Sequence, residues 1–268
     1  MNAQYHTPAN AEHKRVVHSI WQVEGSSPFQ KERIMPSGII EIVFNLTDGH
    51  FIPISLNNHE QCLPRVFING FNTKIIHLQL PPHLVFFGVR LYPLTVKQLF
   101  RTPACEFSDI AVDLTILEPR VDDIWEQLVN ENDFNRRVAI VCNWLASKHS
   151  VGCSREQSIN EFLSSTQHHD RSVSQLAESF CYSPRQFSRK VKEATGLNAE
   201  DVLLYRKYLH SLDLMHHAGL SLTEIAHQCS FFDQSHFIRS FKSFTTLTPG
   251  EYIRNKSFLK GHLFEDVR

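Results

Sequence analysis

Two clusters of hydrogen-bonding side chains recur fifty residues apart near the end of this 268-residue chain. The first holds Ser183, Arg185, Gln186, Arg189, Lys190 and Lys192; the second holds Gln234, Ser235, His236, Arg239 and Lys242. Their steps of three and four residues gather most of each cluster on one helix face. Guanidinium, amide, hydroxyl and imidazole groups hydrogen-bond the edges of bases, and ammonium groups meet phosphates. The chemistry these residues suit is recognition of duplex DNA rather than bond cleavage. Arg185, Arg189, Gln234 and Arg239 are the candidates for base contacts, and Lys190, Lys192 and Lys242 those for phosphate. A single basic helix face is more often plain solvated surface. The weight comes from repetition behind matching helix starts.

Those starts are legible. Ser172 with Gln175, and Ser221 with Glu224, match the capping box, in which a hydroxyl and a side chain three residues on satisfy each other's free amides. The helices they open bury Val173, Leu176, Ala177 and Phe180 in one copy and Leu222, Ile225, Ala226 and Cys229 in the other. The alanines leave room for a following helix to cross closely. That helix starts at Ser183-Pro184 in the first copy and at Asp233 in the second. Phe187 and Val191, then Phe237, Phe241 and Phe244, face inward. Between the copies, residues 198–218 carry a stripe of Val202, Tyr205, Leu209 and Leu212 and stop at Gly219. This predicts one connecting helix of about 30 Å. Successive major grooves on one side of B-DNA lie about 34 Å apart.

Residues 206–252 resemble the signature region of AraC-family transcriptional regulators. The likeness rests on the connecting helix, Ser221 to Ala226, Phe231 to Phe237, Phe241-Lys242 and Leu247 to Tyr252. It extends over roughly residues 158–256 and implies seven helices, two helix-turn-helix units and binding of promoter DNA. It further implies control of transcription, with activation expected and RNA polymerase as partner; the residues leave the sign open. Three departures stand out. Ser230 occupies a turn where the family commonly has Gly, Thr245-Thr246-Leu247 replaces a Gly-containing pattern, and His236 sits where Tyr is frequent. A Gly supplies positive φ without steric cost, so Ser230 predicts a strained or rearranged turn. The N-terminal half more weakly resembles the β-rich domain that precedes some AraC-type modules, through residues 36–45, 68–70, 88–90 and 117–118. In such regulators that domain senses a small molecule, mediates dimerisation, or both.

The fold class expected is α+β: an N-terminal β-rich domain over residues 1–150, a partial barrel of cupin-like type ending in a helical hairpin, then an all-α domain over 158–256. Residues 39–45, 65–69, 74–80 and 84–90 read as strands. Residues 51–54 read as the returning strand of a hairpin after a turn at 47–50, and 95–100 as a short helix. Ile124, Leu128, Val138, Val141, Cys142 and Leu145 set a helical period in two segments. Residues 149–157 read as a polar joint, 158–165 as the first helix of the second domain, and the chain after Ser257 as a loosely held tail.

Composition bounds the remaining options. The chain is 42% apolar and 21% charged, as globular proteins are. No apolar run approaches a membrane span and no secretory pattern opens the chain, so a cytoplasmic protein is expected. Residues 1–170 carry 14 Lys/Arg against 18 Asp/Glu, a balance of −4, and residues 171–268 carry 13 against 10, a balance of +3. Six scattered cysteines and adjacent histidine pairs at 168–169 and 216–217 offer no metal-ligand spacing. No cofactor is expected and no catalytic motif appears. Three readings stay open: a DNA-binding regulator with a small-molecule effector at its N-terminal domain, an enzyme carrying an accessory DNA-binding tail, and a regulator whose N-terminal domain only binds protein, such as a second copy in a homodimer. A redox form of the last, sensed at Cys142 or Cys153, lacks a flanking cation.

Overall fold

Alternating apolar and polar residues build much of the first 113 positions into strands in the computed structural model, which describes residues 2–10, 13–47, 52–56, 59–148, 154–165 and 171–265. The strands are β1 (Asn2–His6), β2 (Val17–Ser26), β3 (Lys31–Ile34), β4 (Ile40–Asn45), β5 (Pro53–Leu56), β6 (His59–Cys62), β7 (Val66–Asn69), β8 (Ile76–Gln79), β9 (His83–Leu91), β10 (Ala111–Asp113) and, at the far end of the chain, β11 (His262–Glu265). The helices are α1 (Val96–Phe100), α2 (Val121–Val129), α3 (Phe134–Ala146), α4 (Ser154–Ser164), α5 (Val173–Ser179), α6 (Pro184–Thr195), α7 (Ala199–His217), α8 (Leu222–Gln228), α9 (Gln234–Thr245) and α10 (Pro249–Asn255).

Among the described residues the strands form two antiparallel sheets, ordered β1-β2-β9-β4-β7-β10 and β11-β3-β8-β5-β6. Strand alternation gives the first sheet two apolar faces. Val43, Phe67 and Phe86 point toward the second sheet and pack with Ile54 and Leu78. Ile42, Phe44, Phe87 and Val89 point the other way and pack under α2 and α3 through Leu128, Phe134 and Val141. Buried Arg137 fastens that hairpin by donating to Leu128 O, Glu131 O and Gln22 Oε1 at 3.0, 2.7 and 2.8 Å. Gln61 Nε2 donates to Ala111 O at 3.1 Å and stitches the β6 edge to the β10 edge, an approach to closure without a continuous ladder.

Three expectations need correction. Residues 39–45 and 51–54 do not form a hairpin: β4 pairs with β7 and β9, while β5 lies in the other sheet between β6 and β8. Ile42 and Phe44 are needed under the helices while Ile54 and Leu56 are needed between the sheets, so the chain changes layer there. The tail is not loose. β11 pairs with β3, Leu263 is 1% exposed, and Arg33 forms a salt bridge with Glu265. The first helix of the second unit begins at Ser154, earlier than 158. Residues 48–51 of the proposed turn and returning strand, 149–153 of the polar joint, His168-His169 and Cys153 lie outside the described residues.

α7 is the axis of the molecule. Its stripe of Val202, Tyr205, Leu209 and Leu212 is buried, as are Tyr208 and Met215. Tyr205 Oη donates to Asn72 O at 2.8 Å and Tyr208 Oη to Pro36 O at 3.0 Å. Gly38, at φ +65°, sits so close that an added Cβ would lie 3.0 Å from the Tyr205 ring. The segments at 36–38 and 68–72 are thus the socket for α7.

Candidate nucleic-acid interface

α5–α6 and α8–α9 are two copies of one construction. Ser172 and Ser221 each complete a capping box, with Gln175 and Glu224. The turns that follow superimpose in hydrogen bonding: Tyr182 N donates to Ala177 O, and Phe231 N to Ala226 O, both at 2.9 Å. Each turn needs one left-handed residue, Cys181 at φ 57° and Ser230 at φ 55°. The expectation of positive φ at Ser230 is met, and Cys181 shares it. The second turn is one residue longer, because Phe232 precedes the cap Asp233 where Ser183 directly follows Tyr182. Phe232 is 92% exposed. Each second helix ends on another left-handed residue, Gly196 at φ 79° and Thr246 at φ 58°.

On α6, Arg185, Arg189 and Lys192 are exposed. Ser183 and Gln186 are exposed too, but they hold each other at the cap: Ser183 Oγ accepts from Gln186 N at 3.3 Å, and Gln186 Oε1 accepts from Ser183 N at 3.1 Å. Lys190 is drawn off this face to Glu156 on α4. Burial works against its charge, but the hydrogen bond and charge of Glu156 outweigh it and raise its pKa. On α9, Gln234, Ser235, Arg239 and Lys242 are exposed. Gln234 Oε1 accepts from Thr223 Oγ1 at 2.7 Å, tying the two helices of the unit. His236 is half-buried, edge-on to Phe231, and its Nδ1 accepts from Phe232 N at 3.4 Å. Arg185, Arg189, Lys192, Arg239 and Lys242 form no salt bridge among the described residues. They are available to anions on either face.

Two residues that motif reading passed over position these faces. Arg206 is buried on α7, stacks 4.1 Å from the Phe162 ring, and donates to Phe162 O and Ser165 O at the end of α4. Burial lowers its pKa to about 10, so it stays a cation. The next residue, Lys207, donates from Nζ to Ser230 O at 2.6 Å in the second turn. Adjacent residues of one helix therefore fasten the second unit directly and the first through α4, whose Phe162 packs with Leu176 and Phe187. The first unit also leans on the β-domain: Lys97 pairs with Glu193, Ser108 Oγ donates to Thr195 O at 3.2 Å, and Leu94 N donates to Asn160 Oδ1 at 2.8 Å.

A cavity of about 360 Å³ lies where the β-domain, α4, α7 and the chain end meet. Trp21, Met35, Leu91, Leu163, Leu209 and Leu212 supply much of its apolar wall. Gly88 makes room for Trp21, since a Cβ there would fall 2.1 Å from the indole. Trp21 Nε1 donates to Glu41 Oε2 at 3.0 Å, and Arg90 Nε lies 3.7 Å from the same oxygen, buried without a hydrogen-bond partner. The space between the sheets is nearly filled, with about 100 Å³ left. Among the described residues no group of three His, Cys, Asp or Glu is placed to hold a metal ion, and no helix is long and apolar enough to cross a membrane.

Residues 176–255 match a family described as a helix-turn-helix domain, and residues 6–113 match a domain of unknown function, DUF6597. The HTH-type transcriptional activators RhaS of Salmonella newport and Salmonella agona are each 36% identical over 67 residues, 25% of this chain and 24% of theirs. The chain matches only about a quarter of the length of these curated relatives. Among solved structures, ToxT from Vibrio cholerae in a P21 crystal form is 11% identical, with 95% of this chain and 98% of that chain covered at a TM-score of 0.50. ToxT from Vibrio cholerae O395 bound to (E)-4-(8-methylnaphthalen-1-yl)but-3-enoic acid has the same identity and TM-score, with 95% and 99% covered. At that identity the likeness shows a shared two-part fold and nothing finer.

Proposed function

We propose that this chain, which belongs to the AraC family of helix-turn-helix regulators, reads two adjacent major-groove segments of promoter DNA and does so under the control of a small molecule. One observation carries the reading. Two register-matched units present Arg185, Arg189 and Lys192, then Gln234, Arg239 and Lys242, on exposed helix faces at the two sides of one 19-residue helix. That helix is about 28 Å long at 1.5 Å per residue, close to the groove repeat of about 34 Å. Arg185, Arg189, Gln234 and Arg239 are assigned to base edges, with Ser183, Gln186, Ser235 and His236 at the helix mouths. Lys192 and Lys242 are assigned to phosphate. Lys190 keeps that role only by exchanging Glu156 for DNA. The RhaS relatives are named transcriptional activators, and activation through RNA polymerase is carried to this chain as part of the proposal.

The effector is assigned to the cavity between the β-domain, α4, α7 and the chain end. Its walls suit a largely apolar molecule with one acceptor group lodged beside the Arg90 side chain. The naphthalenyl butenoic acid of the ToxT complex has that chemistry and is a first probe.

Selection of duplexes from a random pool by the purified chain tests the reading. Retention of a bipartite site, with half-sites about one helical turn apart, is expected. On that site Arg239→Ala should cost about 1–3 kcal/mol and relax one position, while Lys242→Ala should weaken all sequences alike and lower the salt slope by about one. A chain that retains no duplex in dilute buffer overturns the proposal, and a Lys242 variant that changes sequence preference overturns its assignment.

A further inference from the structure

The last strand of the chain walls the cavity it runs past. β11 covers the open edge of β3 with four paired positions, from His262 opposite Ile34 to Glu265 opposite Lys31. His262 Nδ1 lies 2.6 Å from Glu32 Oε1, and Leu263 is 1% exposed in the main core. The approach to this strand is pinned to α7 and to α10. Lys256 Nζ donates to Met215 O and His216 O at 2.8 and 3.1 Å, Lys260 Nζ to Asp213 Oδ1 at 2.7 Å, and Gly261 N to Tyr252 Oη of α10 at 3.2 Å. Gly261 O in turn accepts from Met35 N at 2.7 Å. Leu259, Lys260, Gly261 and His262 form one side of the cavity, facing Trp21 and Arg90 of the β-domain and Leu209 and Leu212 of α7.

We propose that the segment from Ser257 to Glu265 is a latch that closes over the effector, so that occupancy of the cavity and docking of β11 on β3 stabilise each other. This rests on the effector site assigned above. A four-residue edge strand is short enough to lift as one local unit while the rest of the domain stays folded. A ligand that touches both the tail and the fixed walls has contacts in the docked state that it lacks in the lifted one, and only such a difference shifts the balance. Reciprocity follows: lifting the tail weakens the ligand by the factor by which the ligand holds the tail. Six residues separate Asn255 from His262, and Tyr252 grips Gly261. Docking of β11 therefore fixes α10 to the β-domain, and α10 meets α9 through the Tyr252 and Phe241 rings, 6.0 Å apart. The latch gives the cavity a direct mechanical link to one DNA-binding unit.

The test uses the full chain with 1-anilinonaphthalene-8-sulfonate, an apolar anion whose fluorescence reports entry. Leu263→Asp places a charge where the tail must be dry and is expected to weaken probe binding at least tenfold. In the unaltered chain the probe should slow amide exchange in Lys31–Ile34; in the variant it should not. The paired change Lys31→Cys with Glu265→Cys sits at facing positions of the ladder and needs no core disruption. Its oxidised form should release the probe at least tenfold more slowly, and reductant should restore the rate. Unchanged affinity in Leu263→Asp, or a release rate indifferent to the cross-link, overturns the latch. No uptake by the unaltered chain overturns both latch and effector site. Loss of duplex retention with the coupling intact overturns the DNA reading and leaves the latch standing.

Discussion

Thr246 holds a backbone conformation that β-branched residues rarely accept. Its φ of 58° ends α9, and the matching position in the first unit is Gly196 at φ 79°. The left-handed region costs an L-residue about 1–2 kcal/mol, and two branches on Cβ place Thr at the upper end. Thr246→Gly is expected to raise stability by about 1 kcal/mol after the extra freedom of glycine in the unfolded chain is deducted. Thermal unfolding checks this; a lower midpoint would mean that the Thr246 side chain makes a compensating contact. The sequence marked the neighbourhood, since Thr245-Thr246-Leu247 departs from a Gly-containing pattern, but not which of the residues carries the strain. Dihedral angles are set by where the helix must end against Tyr252 and α7, and composition does not encode that.

Helix α7 carries three duties that its residue pattern only partly discloses. Val202, Tyr205, Leu209 and Leu212 announce one buried stripe, and they are buried. Arg206 and Tyr208 break the expected polar face because α7 is covered on more than one side, by the β-domain and by both helix-turn-helix units. Arg206→Met is expected to destabilise the chain by about 2–4 kcal/mol, since the carbonyls of Phe162 and Ser165 lose a buried donor. Arg206→Lys should recover little, because an ammonium cannot stack on Phe162 and span two carbonyls in one plane. Urea unfolding curves of the two variants decide this. Full recovery by lysine would reduce the role of Arg206 to its charge.

Two histidines of the β-domain are held below the ordinary imidazole value, one beside the cavity and one beside the docked chain end. His18 borders the cavity, and burial, then Arg90, lower its pKa below the ordinary 6.5. His77 is lowered by burial, then by Arg33, against a smaller opposing effect of Glu265. A lowered histidine binds fewer protons folded than unfolded, so stability is full above 6.5 and falls as pH drops through 6.5 toward the depressed values. The midpoint of thermal unfolding should therefore fall between pH 7.5 and 5.5, and His18→Gln should remove part of that fall. A midpoint that rises on acidification would contradict the assignment. The outward side of α2 and α3 is polar, with Asp123, Glu126, Gln127, Arg136 and Asn143 exposed.

Capping boxes, inward phenylalanines and the fifty-residue repeat are local patterns, and local hydrogen bonding enforces them wherever the helices go. That is why both helix-turn-helix units, the length of the connecting helix and the α+β fold class were legible in the residues alone. The partner of β5, the docking of β11 on β3, the engagement of Lys190 by Glu156 and the cavity beside Arg90 were not. Each depends on which surfaces meet after distant segments collapse together, such as Leu263 finding a core 230 positions upstream near Arg33. A short strand such as 262–265 carries too little periodicity to name its partner. Its place is decided by the unpaired edge of β3 and by the charges of Glu32 and Arg33 that await it.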